Sequence, residues 1–83
     1  MIEQIEYLQS FGIYISVYPE FSPVTNTFMG WTYCVTPEYA DEFIGNCVKT
    51  YGEAFSYAVD IGVKFAAELE RKKILSKELN LFE

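Results

Sequence analysis

Three carboxylates, Glu38, Asp41 and Glu42, stand within little more than a helical turn of one another, with the thiols Cys34 and Cys47 on either side of them in sequence. No other residues in the chain come so close, by type and spacing, to doing chemistry. If the segment is helical, Glu38 and Glu42 share a face, and a divalent cation could sit between their oxygens. The spacing matches no calcium loop, and a solvated acidic face explains it equally well. A two-carboxylate glycosidase needs a substrate cleft between its acids, and 83 residues supply little material for one. The thiols lack a base, because the chain has no histidine and the nearest cation is Lys49, two residues beyond Cys47. Buried structural thiols are therefore expected. The glycine-bearing stretches Met29-Gly30-Trp31 and Ile44-Gly45-Asn46 carry no phosphate-binding spacing. The sequence is read as a non-enzyme with no catalytic residue, metal site or cofactor.

Aromatic side chains offer a different chemistry, that of recognition. Tyr14 and Tyr18 alternate with apolar residues along one stretch, and Trp31 sits in a second. Tyrosine and tryptophan combine a large apolar body with a polar tip, which favours them at binding hot spots. Pairing across strands is the plainer use of the two tyrosines. Aromatics also stack on bases, but nucleic-acid binding needs cations for phosphate. Residues 1–48 contain six acids (Glu3, Glu6, Glu20, Glu38, Asp41 and Glu42) and no lysine or arginine. Residues 49–83 hold six of each sign, so the net charge of −6 comes wholly from the first half. Such a surface repels phosphate and steers basic partners inward.

The elements that would position these residues form one α+β domain spanning residues 1–83. Its composition, 51% apolar and 18% aromatic, supports a core, although a chain this short buries only about 60–65% of its unfolded surface. Ile2, Ile5, Leu8 and Phe11 recur at helical spacing, and Gly12 stands where a left-handed residue would end the helix. Ile13 to Tyr18 alternates strictly, with Ile13, Ile15 and Val17 on one face of a strand and Tyr14, Ser16 and Tyr18 on the other. Pro19 and Pro23 are expected to stop it, leaving Pro19 to Asn26 as a loop. Thr27 to Val35 reads as a second strand, placing Trp31, Tyr33 and Val35 together and Thr32 and Cys34 opposite, in an antiparallel hairpin or small three-stranded sheet. Thr36-Pro37-Glu38 resembles a helix start, so 37–44 is either a short helix or a loop, and Cys47-Val48-Lys49 offers a brief third strand. Thr50-Tyr51-Gly52-Glu53 fits a capping box. Behind it Phe55, Ala58, Ile61, Gly62, Phe65 and Leu69 form a helical stripe opposite Asp60, Lys64, Glu68 and Arg71. This long amphipathic helix should pack on one sheet face and reach about Leu75, with 76–83 extending it or fraying.

The order helix, strands, long helix resembles double-stranded RNA-binding domains in topology. Those domains grip phosphates with bases at the start of the last helix. Here that helix opens Tyr51-Gly52-Glu53-Ala54, so direct nucleic-acid binding is not expected. Phe11-Gly12-Ile13-Tyr14-Ile15-Ser16-Val17, the tryptophan- and tyrosine-bearing second strand and Thr50-Tyr51-Gly52-Glu53-Ala54-Phe55 also resemble a family of short uncharacterised proteins. These occur in gut Bacteroides-type bacteria, their phages and prophages. The resemblance covers roughly residues 5–66. Gly52 departs from it where the family tends to carry an acid. It implies a fold and a mobile-element origin, and no activity.

The functional expectation is a small acidic protein-binding module of phage or prophage type, an inhibitor in kind, occupying a basic surface of a host protein. Tyr14, Tyr18 and Trp31 would be the apolar anchors, and Glu38, Asp41 and Glu42 the steering charges. Alternatives are a structural homodimer that pairs an exposed hairpin edge and a small-ligand pocket between hairpin and final helix. Neither a secretory leader nor a membrane-spanning stretch is expected, and two cysteines make no disulfide framework. The bacterial cytoplasm is the expected location.

Overall fold

The computed structural model describes residues 2–80, with side chains through Lys72. Along the chain run α1 (Ile2–Gln9), β1 (Ile13–Phe21), β2 (Phe28–Pro37), β3 (Phe43–Ile44) and α2 (Tyr51–Asn80). The three strands form one antiparallel sheet in the order β1-β2-β3, giving the α+β fold that the sequence pattern implies.

Short helices need docking to persist, and α1 docks through Leu8, which is fully buried. The helix tightens as it ends: the Phe11 and Gly12 amides donate to the carbonyls of Leu8 and Gln9. Gly12 then takes φ 73°, a left-handed turn that favours glycine because it has no Cβ, and the chain enters β1.

The β1–β2 register sets Ile13 opposite Pro37, Tyr14 opposite Thr36, Ser16 opposite Cys34, Tyr18 opposite Thr32 and Pro19 opposite Trp31. The Glu38 amide donates to the Gly12 carbonyl. Antiparallel ladders alternate bonded and unbonded pairs, so the bonded pairs are those of the even-numbered β1 residues. Pro37 and Pro19 both fall in unbonded pairs, where a missing N–H removes no ladder bond. For this reason β1 continues through Pro19 to Phe21 and does not stop at Tyr18. The register slips between Glu20 and Phe21, leaving Met29 as an extra residue on β2. Next to it, Gly30 has φ 150°.

One sheet face carries the core. Leu8, Ile13, Tyr33, Val35, Ala54, Ala58 and Ala66 form its buried cluster, ringed by residues that include Ile15, Val17, Trp31, Ile61 and Phe65. Burying one such aliphatic side chain is worth about 1.5–3 kcal/mol. Small residues let α2 lie close on its neighbours: a Cβ on Gly62 would stand 2.8 Å from Leu8 Cδ1. Asp60, Lys64, Glu68 and Arg71 are exposed. The helix is capped where the sequence places the cap, the Glu53 amide donating to Thr50 Oγ1 at 3.1 Å. Just before the cap, Val48 and Trp31 exchange two backbone hydrogen bonds of 2.7 and 2.8 Å.

Three further expectations are corrected. Residues 37–44 form neither a helix nor a plain loop: Pro37 closes β2, a turn follows, and Phe43–Ile44 is the third strand. The helix-start pattern loses there because Pro37 fits an unbonded strand position and Glu38 is held by Gly12. The third strand is not at 47–49, where only the bridge between Trp31 and Val48 forms. Of the thiols, Cys34 is buried and Cys47 exposed, since Cys47 lies in the connection leaving β3. Of the two readings for 76–83, extension holds through Asn80, while 81–83 lie outside the described residues. No described helix is long and apolar enough to cross a membrane.

Candidate functional site

The sheet face away from the core cluster is built by the even residues of β1 and their partners on β2. Across it run Tyr14, Ser16, Tyr18 and Glu20, then Thr36, Cys34 and Thr32, then Ile44 opposite Cys34 on β3. Tyr14 and Tyr18 are 43% and 38% exposed, and Ile44 is 62% exposed. Cys34 and Thr32 are buried on this face, and the long side chains of β1 account for it. The Cys34 thiol donates to the Tyr18 hydroxyl oxygen at 3.6 Å, and the Thr32 hydroxyl donates to Glu20 Oε1 at 3.0 Å.

Glu38 is tied to the same face. The Tyr14 hydroxyl donates to its Oε1 at 3.0 Å, and its Oε2 lies 2.8 Å from where a Cβ on Gly12 would stand. Glycine at 12 therefore allows both the helix-ending turn and the close seat of this carboxylate. The phenols respond to these neighbours. Tyr14 is raised above its ordinary pKa, first by the hydrogen bond to Glu38 and then by that group's charge. Tyr18 is pushed up to about 12, first by its hydrogen bond with Cys34, then by desolvation, then by the charges of Cys34, Glu20 and Glu42. A hydrogen bond given by the phenol favours its protonated form, and nearby negative charge disfavours the phenolate. Both tyrosines thus stay neutral donors at physiological pH.

Of the six residues singled out by sequence, the structure groups Tyr14, Tyr18 and Glu38 on this face, with Glu42 close enough to act on Tyr18. Asp41 is exposed in the turn between them. Trp31 lies apart, on the helix side of the sheet. There it joins a row of edge-to-face rings, 5.7 Å from Phe28 and 5.2 Å from Tyr51, with Phe21 beyond Phe28. Sequence reasoning missed Glu20 and Ile44. Glu20 keeps the Tyr14, Ser16, Tyr18 alternation, a signal masked by treating Pro19 as a stop.

A separate open groove of about 470 Å³ lies between β3 and α2, lined by Phe43, Ile61, Lys64, Phe65 and Glu68. Tyr39 bridges to the same stretch of helix, its hydroxyl donating to the Phe65 carbonyl at 3.4 Å. The groove has room for a small apolar molecule, but only two side chains would orient one. Among the described residues no group of three histidine, cysteine or acidic side chains could hold a metal ion. The helix-free face can donate from phenols, accept on carboxylates and offer aromatic area, which equips it for binding. No known protein family, curated protein or solved structure matches this chain.

Proposed function

We propose that the protein is an acidic binding module whose helix-free sheet face takes up a basic surface of another protein. The observation behind this reading is the convergence of Tyr14, Tyr18, Glu20 and Glu38 on one face, in a chain whose first 48 residues contain no cation. Carboxylates on the face and its rim draw lysine and arginine in, which speeds encounter more than it tightens the final complex. The tyrosines supply ring faces for cations and apolar stems. The resemblance to phage and prophage proteins makes a host protein with a basic groove, such as a nucleic-acid-handling or defence enzyme, the natural target for such an inhibitor.

The test is association kinetics with immobilised Lys/Arg-rich peptides, each paired with an acidic peptide of equal length. Binding should be confined to the basic set, with an on-rate that falls about tenfold or more from low to high salt. The combined change of Glu20, Glu38 and Glu42 to Gln should slow association at low salt and have little effect at high salt. Equal on-rates for this variant and the native chain at low salt would defeat the proposal.

A further inference from the structure

We propose that the basic partner is an extended segment, which adds as a strand to the open edge of β1 with basic and apolar residues alternating along it. This rests on the binding face described above and names what occupies it. β1 ends the sheet, and its even residues bond to β2. Its odd residues Ile15 and Val17 therefore direct their N–H and C=O groups away from the sheet and in its plane. No described strand lies alongside them. Proteins commonly blunt such edges with lysine, proline or a bulge. Here Pro19 and the slip after Glu20 blunt the far end and Ile13 is wholly buried at the near end, leaving the edge open at Ile15 and Val17.

Strand addition uses main-chain bonds for affinity and alternate side chains for specificity. An incoming strand would place every second side chain beside Tyr14, Ser16 and Tyr18. Lysine or arginine there meets the phenol rings and reaches for Glu20 and Glu38. The intervening side chains would fall on the opposite face, beside Ile15 and Val17. Both are only half-buried although they pack on the core, so apolar groups could complete their burial. Charge complementarity selects this occupant over a second copy of the chain, which would bring a matching acidic face alongside.

The experiment titrates the full chain with three synthetic peptides: Lys-Val-Lys-Val-Lys-Val-Lys, a block peptide of the same composition, and the alternating peptide N-methylated at every second amide. Val17→Pro removes an outward donor without touching the β1–β2 ladder, and Val17→Ala controls for lost packing. Tight binding by the alternating peptide alone is expected, with slowed hydrogen exchange at the Ile15 and Val17 amides. N-methylation on the edge-facing side and Val17→Pro should each weaken it about tenfold or more, equivalent to about 1.4 kcal/mol, and Val17→Ala much less. Should Val17→Pro fail to fold, the N-methylated peptide carries the test alone. Equal, salt-sensitive binding of all three peptides would overturn strand addition and leave the acidic face standing. Absence of salt-sensitive binding by any of them would overturn both. A dimeric mass in sedimentation, reduced to monomer by Val17→Pro, would assign the edge to a second copy and overturn the peptide proposal.

Discussion

The two faces of the sheet are made by the same strands and closed by different materials. Val35 is wholly buried beneath the helices, while Cys34 and Thr32, its neighbours on the opposite face, are 3% and 4% exposed with no helix over them. On the helix side, burial comes from a second layer of structure carrying apolar side chains. On the other side it comes from Tyr18 and Glu20, which lie across β2 while remaining in contact with water. A buried strand residue thus need not imply a covering element. The helix side holds the fold. The open side seals itself with polar side chains whose own attachments are weak, so they can be displaced or recruited at modest cost.

This contrast can be broken most sharply at Ile13, which is fully buried on the helix side. Ile13→Ala should cost about 3 kcal/mol, lowering the midpoint of thermal unfolding by roughly 12–24 °C in a domain of this size. Gly30→Ala tests the end of the open side. Its φ of 150° and the Val48 carbonyl pressed against any added Cβ should together cost about 2 kcal/mol in a denaturant titration. Thr32→Val removes only the hydroxyl that donates to Glu20, and should cost about 1 kcal/mol. A loss as large as that of Ile13→Ala would mean the two faces are equally structural. Tyr18 gives the smallest effect, visible only in alkali. Its raised pKa contributes stability that is complete below pH 10, the ordinary tyrosine value, and is lost as pH climbs toward about 12. Unfolding curves from pH 9 to 12 should therefore fall less steeply for Tyr18→Phe than for the native chain. A steeper fall in the variant would contradict the hydrogen bond with Cys34 as the cause.

Much of the helix side was legible in the sequence, because apolar periodicity records burial against a partner layer. Ile13, Ile15 and Val17 alternate as a strand face, Ala58, Gly62 and Phe65 fall on the helical stripe, and Gly12 and Thr50 mark a helix end and a helix start. The open side was legible only in part. Tyr14 and Tyr18 stood out by type, but the seat of Glu38 depends on Gly12, which is distant in sequence and adjacent in space. Glu20 was hidden because Pro19 reads locally as a break, whereas register decides whether a missing N–H matters. Trp31 was grouped with Tyr33 and Val35, which share the helix side, but was also named an anchor beside Tyr14 and Tyr18, which lie on the other face. Its enclosure between Phe28 and Tyr51 depends on the slip at Met29, which no local pattern announces. Phe43–Ile44 is too short to show any period at all.

The joint at Gly30, Trp31 and Val48 also has a mechanical consequence. Two backbone bonds fix Val48 to β2, and the Thr50 cap begins α2 two residues later. That short span aims a helix of 30 residues, which extends about 45 Å at 1.5 Å per residue. It acts as the fulcrum of a lever: a tilt of about 10° there would swing the far end of such a helix by about 8 Å. A single methyl group added at Gly30 would therefore be felt along the whole molecule, in how far Ile61, Phe65 and Leu69 still reach the sheet.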